Sequence, residues 1–151
     1  MVLLVGVEYK YLETFALKTL SRREYSRLEL RRRLIDKGGD PEDIENLLND
    51  FEKKGWLNED RFVEVLIRSR RNRFGCLKIL RELEEKGVSG SGISLAKELL
   101  RRDEEMTARN IWKKKFGVLP VSLLERGKQT RFMQSRGFDQ SLVRRILGGE
   151  D

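Results

Sequence analysis

Apolar residues along the chain recur at helical spacing, and no strand-like alternation persists beyond a few positions. Leu12, Phe15, Ala16, Thr19 and Leu20 mark one face of a first helix predicted over Glu8 to about Arg23. Ser26 and Glu29 form an S-x-x-E capping box that opens a second helix, and Gly38-Gly39 end it in the left-handed conformation glycine favours. Asp40-Pro41 starts a third, with Ile44, Leu47, Leu48 and Phe51 inward and Gly55 at its close. Trp56-Leu57 forms a junction and Asn58 caps the next helix.

The same plan then returns. A shift of 49 residues lays Phe74 on Tyr25, Leu77 on Leu28, Ile79 on Leu30, Leu83 on Leu34 and Gly87 on Gly38. A further 50 reaches Arg131, Met133 and Gly137. Asp40, Ser89 and Asp139 each lie two residues past the aligned glycine as helix caps, and Ile44, Ile93 and Val143 lie six past it. Self-similarity at this period predicts an all-α chain of tandem three-helix repeats stacked as a short curved array. The units are 9–57, 58–102 and a divergent 103–147, with terminal tails 1–8 and 148–151. In the second unit Phe62, Val65, Leu66 and Ser69 are expected inside, followed by Leu77, Ile79, Leu80 and Leu83, then Ile93, Ala96, Leu99 and Leu100. Ser89-Gly-Ser-Gly92 lacks the proline of the first unit and predicts a looser turn within that unit rather than a linker between domains. Asp103 is expected to cap the third unit, with Ala108, Ile111, Trp112 and Phe116 inward and Gly117 and Pro120 breaking the helix. Val121 to Arg136 then reads as a helix interrupted at Gly127, and Phe138 to Leu147 as the last.

Composition narrows the chemistry. The 151 residues include no histidine, which removes the commonest general base and metal ligand together. Cys76 is the single cysteine, so no internal disulfide forms, and its helical setting makes it a half-buried filler rather than a nucleophile. No metal, cofactor or catalytic residue is expected; the acidic clusters lie among lysines and arginines on outer helix faces. No apolar run is long enough to span a bilayer. Met1 to Val7 is apolar but lacks a basic n-region, and reads as a tail or short edge strand, so the chain is expected in the cytoplasm.

The net charge of +7 favours an acidic partner, either nucleic acid or an acidic protein groove. Residues 1–57 hold 11 basic and 11 acidic side chains, 58–103 hold 11 and 8 (net +3), and 104–151 hold 10 and 6 (net +4). Two clusters stand out. Arg68, Arg70, Arg71 and Arg73 have no acidic residue inside the run, and Lys113, Lys114 and Lys115 are successive, too close in sequence to share one helical face. Arg32, Arg81 and Arg131 share a repeat column, which a solenoid displays as a stripe suited to a filament groove or a phosphate backbone. Arg31-Arg32-Arg33 has Glu29 and Asp36 near enough to pair and reads equally as a solvated face. Mixed charge of this density also suits surface ion-pair networks, although these do not explain its drift along the chain. Trp56 and Trp112 read as packing residues rather than stacking platforms for bases.

R-E-Y-S-R-L-E-L-R-R-R-L from Arg23 to Leu34, G-W-L-N-E-D-R-F from Gly55 to Phe62 and L-R-E-L-E-E-K-G from Leu80 to Gly87 resemble the RecX regulatory family over residues 9 to 147. Two departures are modest: Cys76 follows Gly75 where the family often has proline, and Asn58-Glu59 replaces its usual aspartates, with Asp60 retained. The resemblance implies a non-enzymatic regulator, and the chain is expected to be a monomer. It would bind the RecA recombinase filament in its groove on DNA and damp ATPase and strand exchange, in homologous recombination, DNA repair and the SOS response. The competing reading is a direct DNA-binding module for single- or double-stranded DNA, since each unit contains two short helices joined at a glycine turn. Against it, no single helix concentrates base-reading Arg, Asn and Gln.

Overall fold

The computed structural model describes residues 7–148, and all its regular structure is helical. Of the expected tails at 1–8 and 148–151, residues 1–6 and 149–151 lie outside the described residues. The helices are α1 (Tyr9–Leu20), α2 (Arg27–Asp36), α3 (Pro41–Lys53), α4 (Glu59–Arg70), α5 (Cys76–Glu85), α6 (Gly90–Arg101), α7 (Glu104–Lys115), α8 (Leu123–Ser135) and α9 (Gln140–Ile146). They form a tandem array of three-helix repeats with three successive cores.

The repeat follows from its turns. Gly38, Gly87 and Gly137 all have positive φ (84°, 78° and 99°), which stops each middle helix. Two residues on, Asp40, Ser89 and Asp139 each accept a backbone N–H from the first turn of the next helix. Ser26 and Glu29 make the full capping box, at 3.1 and 3.0 Å.

Leu12, Leu30, Leu34, Ile44, Leu47, Leu48 and Phe51 close the first core. Phe62, Val63, Leu66, Ile67, Ile79, Leu83, Ala96 and Leu100 close the second. The third, built on Ala108, Met133, Phe138, Leu142, Val143 and Ile146, has a smaller contribution from α7, where Ala108 alone is fully buried. Trp112 is half-buried, and its indole N–H donates to the buried Gln129 at 2.8 Å.

Several expected details differ. Val65 and Leu77 are exposed (37% and 53%) and Ser69 is exposed; Val63 and Ile67 take the inner places on α4. Leu77 sits in the first turn of α5 and lines an open groove rather than a core, so its match to Leu28 does not carry burial with it. Asp103 makes no side-chain cap; its carboxylate lies 3.2 Å from Arg71 instead. Helix α8 runs unbroken through Gly127 and begins at Leu123, because Ser122 accepts the Glu125 N–H while Glu125 accepts the Val121 N–H. Helix α1 is shorter than expected at both ends.

Backbone contacts join the second and third units. The N–H groups of Gly75 and Leu77 donate to the carbonyls of Arg136 (2.6 Å) and Gly137 (3.0 Å), and the Cys76 N–H donates to Glu104 at 3.3 Å. Helix α5, which has no side-chain cap of its own, is thus capped by the third unit. Between the first and second units, Lys86 reaches Glu29 at 3.4 Å and Arg61 pairs with Glu24.

Candidate partner-binding surface

The basic residues singled out in the sequence divide into tethered and free groups. Arg70, in the last turn of α4, forms a two-pronged ion pair with Glu82 of α5 at 2.9 and 3.0 Å. Lys86 also reaches Glu82, at 3.4 Å. The Arg70 guanidinium holds the Glu82 carboxyl below its usual range, and the bond in turn raises Arg70. Arg71 is held by Asp103. The run Arg68 to Arg73 lacks internal acids, but its counter-ions arrive from residues further along the chain. Arg68 and Arg73 are exposed and form no salt bridge among the described residues; Arg73 lies 5.4 Å from the Phe74 ring centre.

Lys113, Lys114 and Lys115 are exposed in the last turn of α7, placing three cations at its negative dipole end. Lys113 and Lys114 line an open cleft of about 510 Å³ together with Asn72. The structure therefore brings the turn that carries Arg71 and Arg73 beside the lysine cluster. Arg81 and Arg70 line a second groove, of about 730 Å³, which Leu77 and Lys78 of α5 share with Gln134 at the end of α8. Arg32, Arg81 and Arg131 are all exposed. Arg31, by contrast, is tied to Glu45 at 2.7 Å; its partner comes from α3 rather than from Glu29 or Asp36.

Cys76 is half-buried, and burial together with the charge of Glu104 pushes its thiol up to about 11, so it stays protonated at neutral pH. Among the described residues no group of His, Cys, Asp and Glu is arranged to hold a metal ion, and no helix is long and apolar enough to cross a membrane.

One surface feature was not singled out in the sequence. From the α7–α8 connection into the first turn of α8, the aliphatic side chains of Val118, Leu119, Val121, Leu123 and Leu124 are 71%, 50%, 87%, 88% and 81% exposed. Their backbone is anchored: Gln129 donates to the Val118 carbonyl at 3.0 Å, and the Glu125 carboxylate accepts the Val121 N–H at 3.0 Å. The segment V-L-P-V-S-L-L was visible as an apolar run, but periodicity alone assigns such a run to a core. Exposed apolar clusters of this kind, held on an anchored backbone, mark candidate interaction surfaces.

The architecture is that of an all-α helical-repeat protein whose third unit carries a cation-rich, partly apolar surface. The model of the third three-helix domain of RecX matches residues 103–147, and that of the first matches 14–51. The regulatory protein RecX of Ralstonia pickettii is 39% identical over 140 residues, covering 93% of this chain and 88% of its own. That of Leptothrix cholodnii is 41% identical over 132 residues, covering 87% and 84%. The crystal structure of RecX from Lactobacillus salivarius superposes with a TM-score of 0.76 at 18% identity, covering 92% of this chain and 94% of that one. The chain belongs to the RecX regulatory protein family.

Proposed function

We propose that the chain binds the RecA recombinase filament on DNA and inhibits its ATPase and strand-exchange activities, without chemistry of its own. The observation that carries this reading is the juxtaposition, in the third unit, of the exposed Val118–Leu124 cluster with Lys113, Lys114 and Lys115. A protein groove with an apolar floor and acidic walls covers both; a bare phosphate backbone covers only the lysines. Family membership supports the regulatory role. Arg68 and Arg73 are exposed cations of the second unit, and Asn72, next to Arg73 in sequence, lines the cleft with Lys113 and Lys114.

The test is the ATPase rate of RecA on single-stranded DNA with this protein titrated in. Inhibition that saturates, and that the double substitution Leu123→Ser with Leu124→Ser relieves, is expected. No inhibition up to saturating ratios would remove the proposal.

A further inference from the structure

Because the repeat register is marked structurally, by the left-handed glycines at 38, 87 and 137 and the caps at 40, 89 and 139, equivalent positions can be compared between units. In the first unit, the groove between α2 and α3 is closed by its own charges. Arg27 pairs with Glu45 and Glu52 at 2.7 Å each, and Arg31 pairs with Glu45 at 2.7 Å. Those contacts hold the Glu45 carboxyl down at about 2, through hydrogen bonds from Arg31 and then Arg27.

Among the described residues, the same groove in the third unit, between α8 and α9, lacks this neutralisation. Shifts of 49 and then 50 place Arg126 at the position of Arg27, and Arg144 at the position of Glu45. The acid that holds two arginines in the first unit is itself an arginine in the third. Glu52 has its register partner in Asp151, outside the described residues. The resulting open cleft, of about 380 Å³, is lined by Arg126, Arg131 and Arg144 together with Thr130 and Gln140, and among the described residues no carboxylate lines it. Arg126 makes one long bond, to the Leu147 carbonyl at 3.4 Å, and none of the three arginines forms a salt bridge among the described residues. Gly127 contributes through its missing side chain: a Cβ there would stand 3.1 Å from Nη1 of Arg131, so glycine makes room for that guanidinium to lie along the helix.

We infer that the α8–α9 cleft is an anion site for consecutive phosphodiester groups of single-stranded DNA, adjoining the apolar cluster at the α7–α8 turn and sharing Leu123 with it. One guanidinium fork satisfies the two oxygens of a peptide carboxylate. Three guanidiniums with a hydroxyl and an amide call instead for a ligand that presents several anionic oxygens in a row. Leu123, at one end of the lining and 88% exposed, suits the sugar and base faces of an unpaired strand better than the polar rim of a duplex.

The experiment measures fluorescence anisotropy of a labelled 15-nucleotide oligothymidylate with the full chain, at several salt concentrations and without recombinase. It is therefore independent of the filament-binding proposal. The decisive variant is Arg144→Glu, which places a carboxylate where the first unit has Glu45 and gives Arg126 an internal partner, so the fold is retained. Binding should weaken about tenfold, and the salt slope should fall by ~0.7 for each phosphate no longer neutralised. Arg126→Ala combined with Arg131→Ala should act in the same direction with unchanged thermal stability. Arg22→Glu makes the same charge change on the first unit and should weaken binding less than threefold. Equal losses for Arg22→Glu and Arg144→Glu would show only a long-range field and overturn the site. Tighter binding of the matching duplex, or displacement by polyglutamate as effective as by unlabelled oligothymidylate at equal charge, would overturn the ligand assignment.

Discussion

The peptide N–H of Leu77 donates to the carbonyl of Gly137 at 3.0 Å, across 60 positions of sequence. This bond ends one unit's turn and starts another unit's helix, and it needs glycine on both sides. A Cβ on Gly75 would stand 2.6 Å from the Gly137 oxygen, and one on Gly137 would stand 2.5 Å from Cβ of Lys78. Gly137→Ala therefore combines a left-handed backbone with a backbone clash and should cost at least ~2 kcal/mol. Gly38→Ala has the same kind of backbone but meets only Val7, at 3.1 Å, and should cost ~1 kcal/mol. Urea denaturation of the two variants checks the order.

Leu34 and Leu83 occupy one repeat column, and each is fully buried in its own core. Replacing either with alanine should destabilise the chain by about 2–5 kcal/mol. Leu77→Ala, aligned with Leu28 by the same shift, should change stability by ~0.5 kcal/mol or less, because the side chain is half in water. Thermal melts of the three variants distinguish repeat position from burial.

The three-unit plan was legible in the sequence because its punctuation is local. A glycine needing positive φ and a cap two residues on are read within one turn of chain, and all three copies form as expected. The core columns were legible for the same reason, with the exception of Leu77, Val65 and Ser69. Which face of α4 and α5 is buried depends on where a third helix lies, and no local pattern fixes that. The charge partners were harder still. Arg70 meets Glu82 and Arg71 meets Asp103 at separations of 12 and 32 residues, so a run without internal acids is not a run without counter-ions. The apolar loop at Val118–Leu124 was visible as composition but not as exposure, since an anchored backbone holding aliphatic side chains in water defies the usual assignment of such residues to a core.

The pairing of Glu45 with Arg27 and Arg31 makes a pH-dependent contribution. Its carboxyl titrates at about 2, below the ordinary value of 4.5, so the ion pairs stabilise fully above the ordinary carboxylate range and are lost as pH falls toward 2. The carboxylate is 45% exposed, and solvent screening limits its worth to ~1 kcal/mol. Glu45→Gln should lower the melting temperature at pH 7 and have little effect near pH 2. Melts across that range test the sign: a deficit that grows as pH falls would contradict it.

The cationic surface of the second and third units gives the last prediction, and the ion pairs decide which residues test it cleanly. Arg70→Ala leaves Glu82 with Lys86 alone, and Arg71→Ala releases Asp103, so both variants mix lost structure with lost binding. Arg68, Arg73, Lys113 and Lys114 are exposed and form no salt bridge among the described residues, and exposed substitutions of this kind rarely change stability by more than about 0.5 kcal/mol. If the surface docks on an acidic filament groove, Lys113→Ala with Lys114→Ala should weaken inhibition of the RecA ATPase severalfold with the melting temperature unchanged. Arg68→Ala with Arg73→Ala should act in the same direction, and Arg22→Ala, in residues 1–57 where the charges balance, should do less. The loss should shrink as salt rises, because exposed charges are screened beyond about 10 Å at 0.1 M. The apolar contribution of Leu123 and Leu124 should persist at high salt, where the lysine contribution fades. Inhibition that vanishes entirely with salt, together with full activity of the Leu123→Ser, Leu124→Ser variant, would show that charge alone holds the complex and that the apolar cluster is no part of it.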